Sequence, residues 1–324
     1  MILEARINEY AMRTDNPHVP WTADEIAETA ARCREEGASI VHFHARNPDG
    51  SPLHTVEAYA DIIRKIRLKC DILVHQTLGW FSNDEDPAGR INCVTTLAKD
   101  PATRPDIAPI DTGTINLDTY DSASKTFAHA DRVYKNRTDT LEHYAREFNA
   151  AGIKPVLVCW SVGFVRRAAA MIEMGLVKEP AYFLLNMTDG PYITGHPGTA
   201  EGLEALRRFL PMGPRIEWAS NIVGANLLSL AEVSARQGGH LAPGIGDYAY
   251  PELGFPANEE VICMAARIVR STGREIASPD DAREMLGFRR EATAGCHKKA
   301  YHVARSHPSR SMTKPIKWPH PACR

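Results

Sequence analysis

The feature that most constrains this chain is its regular alternation of short, β-branched apolar runs with longer amphipathic segments. Such alternation is typical of parallel strands joined by helices. About eight units can be counted by that strand-then-helix pattern. The predicted strands are residues 2–7, 39–44, 71–77, 106–110, 155–159, 181–187, 215–219 and 240–245. Eight units in one chain predict an α/β fold, specifically a (β/α)8 TIM barrel.

Start and stop residues support the helical segments. Thr22 and Glu25 have the spacing of a capping box, and Gly37 follows the apolar face of that first segment. The same reasoning predicts further helices at 56–69, 138–151, 162–175, 199–210, 222–238 and 258–272. Two long stretches, 112–137 and 188–198, are rich in Thr, Asn, Asp, Gly and Pro and are predicted as loops. In a barrel, loops after strands lie on the catalytic rim.

Composition excludes several classes of protein. The hydrophobic fraction of 44% and charged fraction of 24% are those of a folded domain. A net charge of -2, with no basic stripe before the last thirty residues, argues against a nucleic-acid partner. We find no apolar run long enough for a membrane span, so we expect a cytoplasmic protein with a small-molecule partner. The seven cysteines lack CxxC spacing and are predicted to be reduced thiols.

The helical and strand periods fade near residue 288, which gives the predicted domain boundary. Residues 1–288 form the predicted catalytic barrel. Residues 289–324 form a basic, proline-containing C-terminal extension. This extension is predicted either to be an arm that packs on a neighbouring subunit or to lack fixed structure.

The most informative segment runs from Ser39 to Arg46 and reads SIVHFHAR. Alternate residues of a strand share a face, so His42, His44 and Arg46 are predicted to project together near the strand's carboxyl end. Their imidazoles would start from alpha carbons roughly 6.5–7 Å apart, which lets both bind one ion. The predicted ion is zinc or another divalent metal. The alternative is that both histidines only satisfy hydrogen bonds in a polar barrel mouth.

The segment GASIVHFHARNPDG at 37–50 resembles the signature of the β-keto acid cleavage enzymes. Similar segments continue through most of the chain up to about residue 288. They are NP at 16–17, PWTADEI at 20–26, TGTIN at 112–116, GGH at 238–240, GIGD at 244–247 and AREML at 282–286. The resemblance implies a zinc-dependent barrel that exchanges acyl groups between a β-keto acid and acetyl-CoA, giving acetoacetate and a new CoA ester. It also implies a homo-oligomer, a dimer or a tetramer.

Carried over residue by residue, the resemblance implies roles for five positions. His42 and His44 would bind the metal, and Asp247 would be the general base. Thr112 and Gly113 would lie near the bound substrate.

Four further residues follow from position alone. Asn8 and Glu9 end the first predicted strand, and Gln76 and Thr77 end the third, so all four are predicted to bind substrate in the same cavity. The alternative for each polar residue of the rim is a loop cap or a solvated side chain.

The predicted eighth strand departs from the family, which usually carries an arginine there and then a glutamate–aspartate pair. Ala242 stands in place of the arginine, and Gly246 in place of the glutamate that completes the metal site. A third ligand must then come from Asp247, from another rim carboxylate such as Glu9, from water or from substrate. Arg46 becomes the nearest arginine assigned to the mouth and is predicted to be catalytic. These departures predict a divergent subgroup with a different substrate.

Three functions remain open at this point. The first is acyl exchange with acetyl-CoA. The second is a metal-dependent hydrolase or aldolase-type lyase that acts on a small oxo acid without CoA. The third is a site that has lost catalysis and only binds a metabolite.

Overall fold

Eight parallel strands form the central sheet of the fold. The computed structural model describes residues 1–79 and 86–288. The strands of this part are β1 (Glu4–Arg6), β2 (Ile40–Phe43), β3 (Leu73–Gln76), β4 (Ile107–Asp111), β5 (Ile115–Asn116), β6 (Tyr120–Asp121), β7 (Thr126–Phe127), β8 (Val133–Tyr134), β9 (Lys154–Cys159), β10 (Ala181–Thr188), β11 (Ile216–Val223) and β12 (His240–Leu241). The central sheet has the order β1-β2-β3-β4-β9-β10-β11-β12.

The last strand returns to the first and closes the sheet into a barrel. The Leu241 amide donates to the carbonyl of Ile2 at 3.2 Å, and the Arg6 amide donates to the carbonyl of Pro243 at 3.0 Å. Closure pairs the two edge strands of the central sheet, and it brings the ends of β1 and β12 side by side. The fold predicted from the sequence is therefore confirmed.

Helices between the strands cover the barrel. They are α1 (Ala23–Glu35), α2 (Val56–Lys69), α3 (Pro87–Leu97), α4 (Thr138–Ala151), α5 (Val162–Glu173), α6 (Ala200–Arg207), α7 (Ala231–Arg236), α8 (Asn258–Ser271) and α9 (Pro279–Met285). Thr22 and Glu25 form the capping box that their spacing predicts. None of these helices, within the two described ranges, is long and apolar enough to cross a membrane.

Several elements differ between the prediction and the structure. The predicted helix 222–238 is wrong in extent, because β11 continues to Val223, a 3-10 turn follows at Leu227–Leu230, and only α7 is α-helical. The predicted strand 240–245 ends at Leu241. Helices α3 and α9 were not predicted, because the apolar residues of α3 form no clear stripe and α9 has only 7 residues.

The predicted loop 112–137 contains two small antiparallel ribbons. Strand β5 pairs with β8, and β6 pairs with β7. The loop is thus an ordered excursion after β4 that returns to the barrel at α4. The predicted extension 289–324 lies outside the described residues. No disulfide joins the five cysteines that the structure describes.

Alternation along the strands separates two layers of the core. Ile40 and Leu73 point into the barrel, whereas Val41 and Val74 pack with the surrounding helices. The inward face of β1 then carries Glu4 and Arg6, both buried. The barrel interior is therefore apolar at its amino-terminal end and becomes charged toward the carboxyl ends of the strands.

Candidate metal centre and active site

Two histidines lie together at the carboxyl end of β2. His42 is 3% exposed and His44 is 5% exposed, and their Nε2 atoms are 3.3 Å apart. His42 Nδ1 lies 3.0 Å from the carbonyl oxygen of His75. That oxygen can only accept, so Nδ1 carries the proton and Nε2 has a free lone pair. Burial lowers the pKa of His42 to about 3 and also lowers the pKa of His44, so both imidazoles are neutral near pH 7.

Glu9, just after β1, faces both imidazoles. Its Oε1 lies 3.0 Å from His42 Nε2, and its Oε2 lies 3.0 Å from His44 Nε2. Burial alone would raise the pKa of Glu9, but the charge of Arg6 holds it well below its usual value. Glu9 is therefore a carboxylate, and its Oε1 is buried without a well-formed hydrogen bond.

These donor atoms fit a divalent metal ion. A carboxylate oxygen and an imidazole lone pair that face each other at 3.0 Å repel unless a cation or proton lies between them. A tetrahedral ion with ligand bonds of about 2.0–2.1 Å separates neighbouring ligand atoms by about 3.3 Å. The separations of 3.0–3.3 Å among Glu9, His42 and His44 are close to that value. Two neutral nitrogens and one anionic oxygen are a ligand set typical of zinc.

The backbone that carries Glu9 is unusual and is held from several sides. Glu9 has a φ of 31°, a region that residues other than glycine rarely occupy. The Arg46 guanidinium donates to the carbonyl of Asn8 at 2.8 Å, to that of Glu9, and to that of Gly50 at 2.6 Å. These bonds hold the turn after β1 in its strained form. Arg46, predicted to be catalytic, thus lies beside the site with its guanidinium bonded to backbone carbonyls.

Asn8 joins the ends of β1 and β2. Its Oδ1 accepts from the amide of His44 at 2.8 Å, and its Nδ2 donates to the carbonyls of His44 and Pro20 at 2.9 and 3.0 Å. All three of these hydrogen bonds join the Asn8 side chain to backbone groups. Asn8 therefore fixes where His44 sits relative to Glu9.

Gly246 provides the space that the Glu9 side chain occupies. A Cβ atom at Gly246 would lie 2.8 Å from Glu9 Cγ, 2.7 Å from the Glu9 amide nitrogen and 2.8 Å from that of Asn8. The Glu9 side chain therefore fits in this position because Gly246 has no side chain.

Asp247 and Arg6 form a charged pair next to the donor atoms. Arg6 Nε donates to Asp247 Oδ2 at 2.7 Å, and Arg6 Nη2 lies 2.8 Å from Glu9 Oε1. Burial raises the pKa of Asp247 to about 7, although the charge of Arg6 opposes that rise. The Asn221 side chain also opposes the rise in this pKa. A carboxyl group that titrates near neutral pH suits general acid–base catalysis.

The remaining predicted residues are less closely connected to this centre. The Thr112 hydroxyl donates to the carbonyl of Phe164 at 3.0 Å, and the Gly113 carbonyl accepts from Asn136 at 3.0 Å. Gln76 is fully buried with both side-chain polar atoms unpaired, and Thr77 accepts from the amide of Gly79 at 3.3 Å. None of these contacts reaches Glu9 or either histidine among the described residues.

Several buried polar groups of the barrel were not predicted. Arg6 is the most important, and its signal was present: Glu4 and Arg6 are charged residues at alternate positions of an otherwise apolar strand. Asp111 was also missed, although it directly precedes the predicted loop. Its carboxyl accepts from Trp160 Nε1 at 2.7 Å and from the Tyr134 hydroxyl at 3.0 Å, which ties β8 to β4.

Known proteins resemble this chain over most of its length. Residues 1–288 match the model of a family described as beta-keto acid cleavage enzyme. A 3-keto-5-aminohexanoate cleavage enzyme of Fusobacterium nucleatum is 27% identical over 85% of this chain and 93% of its own length. A 3-oxoadipate:acetyl-CoA acetyltransferase of Cupriavidus necator is 26% identical over 85% of this chain and 90% of its own.

A third relative and a solved structure extend the comparison. A 3-dehydrocarnitine:acetyl-CoA trimethylamine transferase of Rhizobium meliloti is 27% identical over 83% of this chain and 90% of its own length. A ternary complex of ObcA with a C4-CoA adduct and oxalate has a TM-score of 0.66 at 14% identity. It matches 84% of this chain and 68% of the ObcA chain, and it supports the barrel fold alone.

Proposed function

Because the chain belongs to the beta-keto acid cleavage enzyme family, we propose that it exchanges acyl groups between a β-keto acid and acetyl-CoA. The products are acetoacetate and a new acyl-CoA. The reaction balances. The acyl group of the keto acid moves to the CoA sulfur, and the acetyl group of acetyl-CoA moves to the carboxymethyl carbon that the acyl group has left. The names of the curated relatives support this proposal, because two of them are transferases that pair acetyl-CoA with 3-dehydrocarnitine or with 3-oxoadipate.

The convergence of Glu9, His42 and His44 is the observation that carries the proposal. These three residues hold a divalent metal, most simply zinc, because they offer one anionic and two neutral donors at suitable separations. Such an ion supplies a Lewis acid that polarises the keto group of the substrate. Glu9 takes the place of the third ligand that Gly246 cannot provide.

Asp247 is the proton acceptor in this proposal. It removes a proton from the carbon between the keto and carboxyl groups, and that carbon is the one that changes its acyl partner. Its pKa of about 7 makes the carboxylate a stronger base than an exposed aspartate. The contact with Arg6 holds the carboxyl in place. Arg46 has a positioning role, because its guanidinium bonds the backbone carbonyl of Glu9.

An assay with a panel of β-keto acids tests the function. With acetyl-CoA present, the protein should form acetoacetate and one new CoA ester in equal amounts. The Asp247→Asn variant should lose at least about 100-fold in kcat, as expected for removal of a general base. Cleavage of the keto acid at an unchanged rate without acetyl-CoA would contradict acyl exchange and would favour the hydrolase or aldolase-type reaction. Absence of turnover across the panel would leave only metabolite binding.

A further inference from the structure

Arg6 contacts three carboxyl groups at and beside the site. It lies on β1 directly beside His42 of β2 in the strand register. The residue is 8% exposed. Its three guanidinium nitrogens face three different carboxylates. Nε bonds Asp247 at 2.7 Å, Nη2 lies 2.8 Å from Glu9, and Nη1 bonds Glu4 at 3.3 Å.

Glu4 is a fixed anchor for this guanidinium. It is fully buried, and its Oε1 also accepts from His75 Nδ1 at 2.9 Å. Its Oε2 accepts from the Tyr182 hydroxyl at 3.3 Å. Glu4 is therefore held by the barrel interior and does not need Arg6 for its position. One nitrogen of the Arg6 guanidinium therefore bonds a carboxylate whose position is fixed by other contacts.

The shape of the guanidinium determines how it places the carboxylates that it bonds. It is planar and presents its donors in a rigid fork, so carboxylates bound to different nitrogens have fixed relative directions. With Nη1 on Glu4, the other two nitrogens set the placement of Glu9 and Asp247 together. A lysine at this position would keep the charge but would offer a single nitrogen without a fixed plane.

We propose that Arg6 is a positioning residue that couples the metal ligand Glu9 to the proton acceptor Asp247. This inference rests on the proposed function, in which Glu9 binds the metal and Asp247 accepts the proton. Arg6 keeps Glu9 Oε1 toward His42, and it holds the Asp247 carboxyl beside the metal centre. Neither effect requires Arg6 to touch the substrate.

The Arg6→Lys variant tests the coupling in two measurements. Zinc affinity, measured by competition with a chromophoric chelator, should fall by about 10–100-fold, as is typical when a partner of a metal ligand is lost. At saturating zinc, kcat should fall by about tenfold or more because Asp247 is displaced. The KM for the β-keto acid should stay within about threefold, because the substrate contacts remain.

Arg274→Lys is the matched control. Arg274 lies at the opposite end of the barrel and donates to the carbonyls of Ala235 and Gly239 at 3.0 and 2.6 Å. It should change neither zinc affinity nor kcat. Circular dichroism of both variants checks that they fold. If Arg6→Lys does not fold, Glu4→Gln removes the charge of the anchor alone and should lower zinc affinity and kcat in the same direction.

Each failure has a distinct meaning. A folded Arg6→Lys protein that binds zinc and turns over within about threefold of the native protein would overturn the coupling and leave the proposed function intact. A loss confined to KM would also overturn it, because it would assign Arg6 to substrate binding. If the native protein itself binds no zinc, the metal-dependent function fails, and the inference fails with it.

Discussion

At the scale of the residue, the site depends on how three side chains from two strands meet. His42 and His44 come from one strand end, and Glu9 comes from the turn after the neighbouring strand. The two imidazoles are neutral because burial lowers the pKa of each, whereas Glu9 stays ionised beside Arg6. The donors are thus prepared for a cation before one binds.

Removal of the Glu9 charge should weaken metal binding most. In Glu9→Gln, the neutral amide cannot replace an anionic ligand, so zinc affinity should fall by more than about 100-fold. Zinc titration against a competing chelator measures the change. Glu217→Gln is the control, because Glu217 bonds His240 at 3.0 Å at the other end of the barrel. Equal zinc affinities for Glu9→Gln and the native protein would exclude Glu9 as a ligand.

The pH profile should report Asp247. Its carboxylate is the active form, and burial raises its pKa to about 7, so kcat/KM should rise as pH increases through that region. A bound divalent cation adds positive charge nearby and lowers this pKa, so the midpoint should lie at or below about pH 7. Rates measured from about pH 5 to about pH 9 check the profile. Activity that falls over the same range would contradict the assignment.

Sequence reasoning reached part of this site. Strand alternation is enough to place His42 and His44 on one face, because that periodicity is local. It could offer Glu9 only as one of several third ligands, because the choice depends on closure between β1 and β12 and on the space at Gly246. Arg6 was not predicted, because residues 2–7 form a mostly apolar strand. One of the carboxylates that surround its charge, Asp247, comes from the far end of the barrel sequence.

At the scale of the element, the ends of β1 and β12 are fitted to each other. A Cβ atom at Gly244 would lie 1.8 Å from the Arg6 carbonyl oxygen, and one at Gly246 would meet the backbone of Asn8 and Glu9. The segment after β12 therefore needs glycine for close backbone approach. Without that approach, Arg6 and Glu9 could not lie beside Asp247.

Gly246→Ala tests this fit. The added methyl group must displace the turn that carries Glu9, so the variant should lose about 1–3 kcal/mol of stability and should bind zinc more weakly. Gly163→Ala is the control, since its Cβ would have only Ser161 Oγ nearby, at 3.6 Å. Chemical denaturation and zinc titration measure both effects. A Gly246→Ala protein that matches Gly163→Ala in both would contradict the fitted arrangement.

Elements with local signals were predicted well, and those without were not. Helices α2 and α4 begin and end at the predicted residues, because their apolar faces and flanking residues mark them. Strand β11 runs on to Val223 inside a segment predicted to be helical, because pairing with all eight residues of β10 outweighs local periodicity there. The ribbons within 112–137 have two-residue strands, too short for a periodic signal.

At the scale of the whole molecule, carboxyl groups outnumber the one guanidinium that contacts them at the carboxyl end of the barrel. Glu4 and Glu9 are carboxylates, Arg6 is one cation between them, and Asp247 adds a further carboxyl group. Buried negative charge without a counterion costs stability. A bound divalent cation would offset that charge, so metal binding and folding stability should be linked.

Thermal unfolding should show that link. Zinc at about 100 times its Kd should stabilise the protein by about 2.7 kcal/mol. For a domain of this size the shift in Tm should be about 4 °C. His42→Ala should show no such shift. A Tm of the native protein that does not respond to zinc or to a chelator would contradict the link.

The extension 289–324 raises a separate question about assembly. The sequence predicts that it either packs on a neighbouring subunit of a homo-oligomer or lacks fixed structure, and this stays a prediction, as does the cytoplasmic location. If it joins subunits, a chain that ends at residue 288 should run as a smaller assembly than the full chain in gel filtration. An unchanged assembly would refute a bridging role for the extension.

Elemental analysis of the native protein, purified without chelators, tests the central claim most directly. A centre built from Glu9, His42 and His44 should retain about one zinc or other divalent transition ion per chain, and His42→Ala should retain almost none. A native protein that folds normally but contains no stoichiometric metal would contradict the metal centre and the chemistry derived from it.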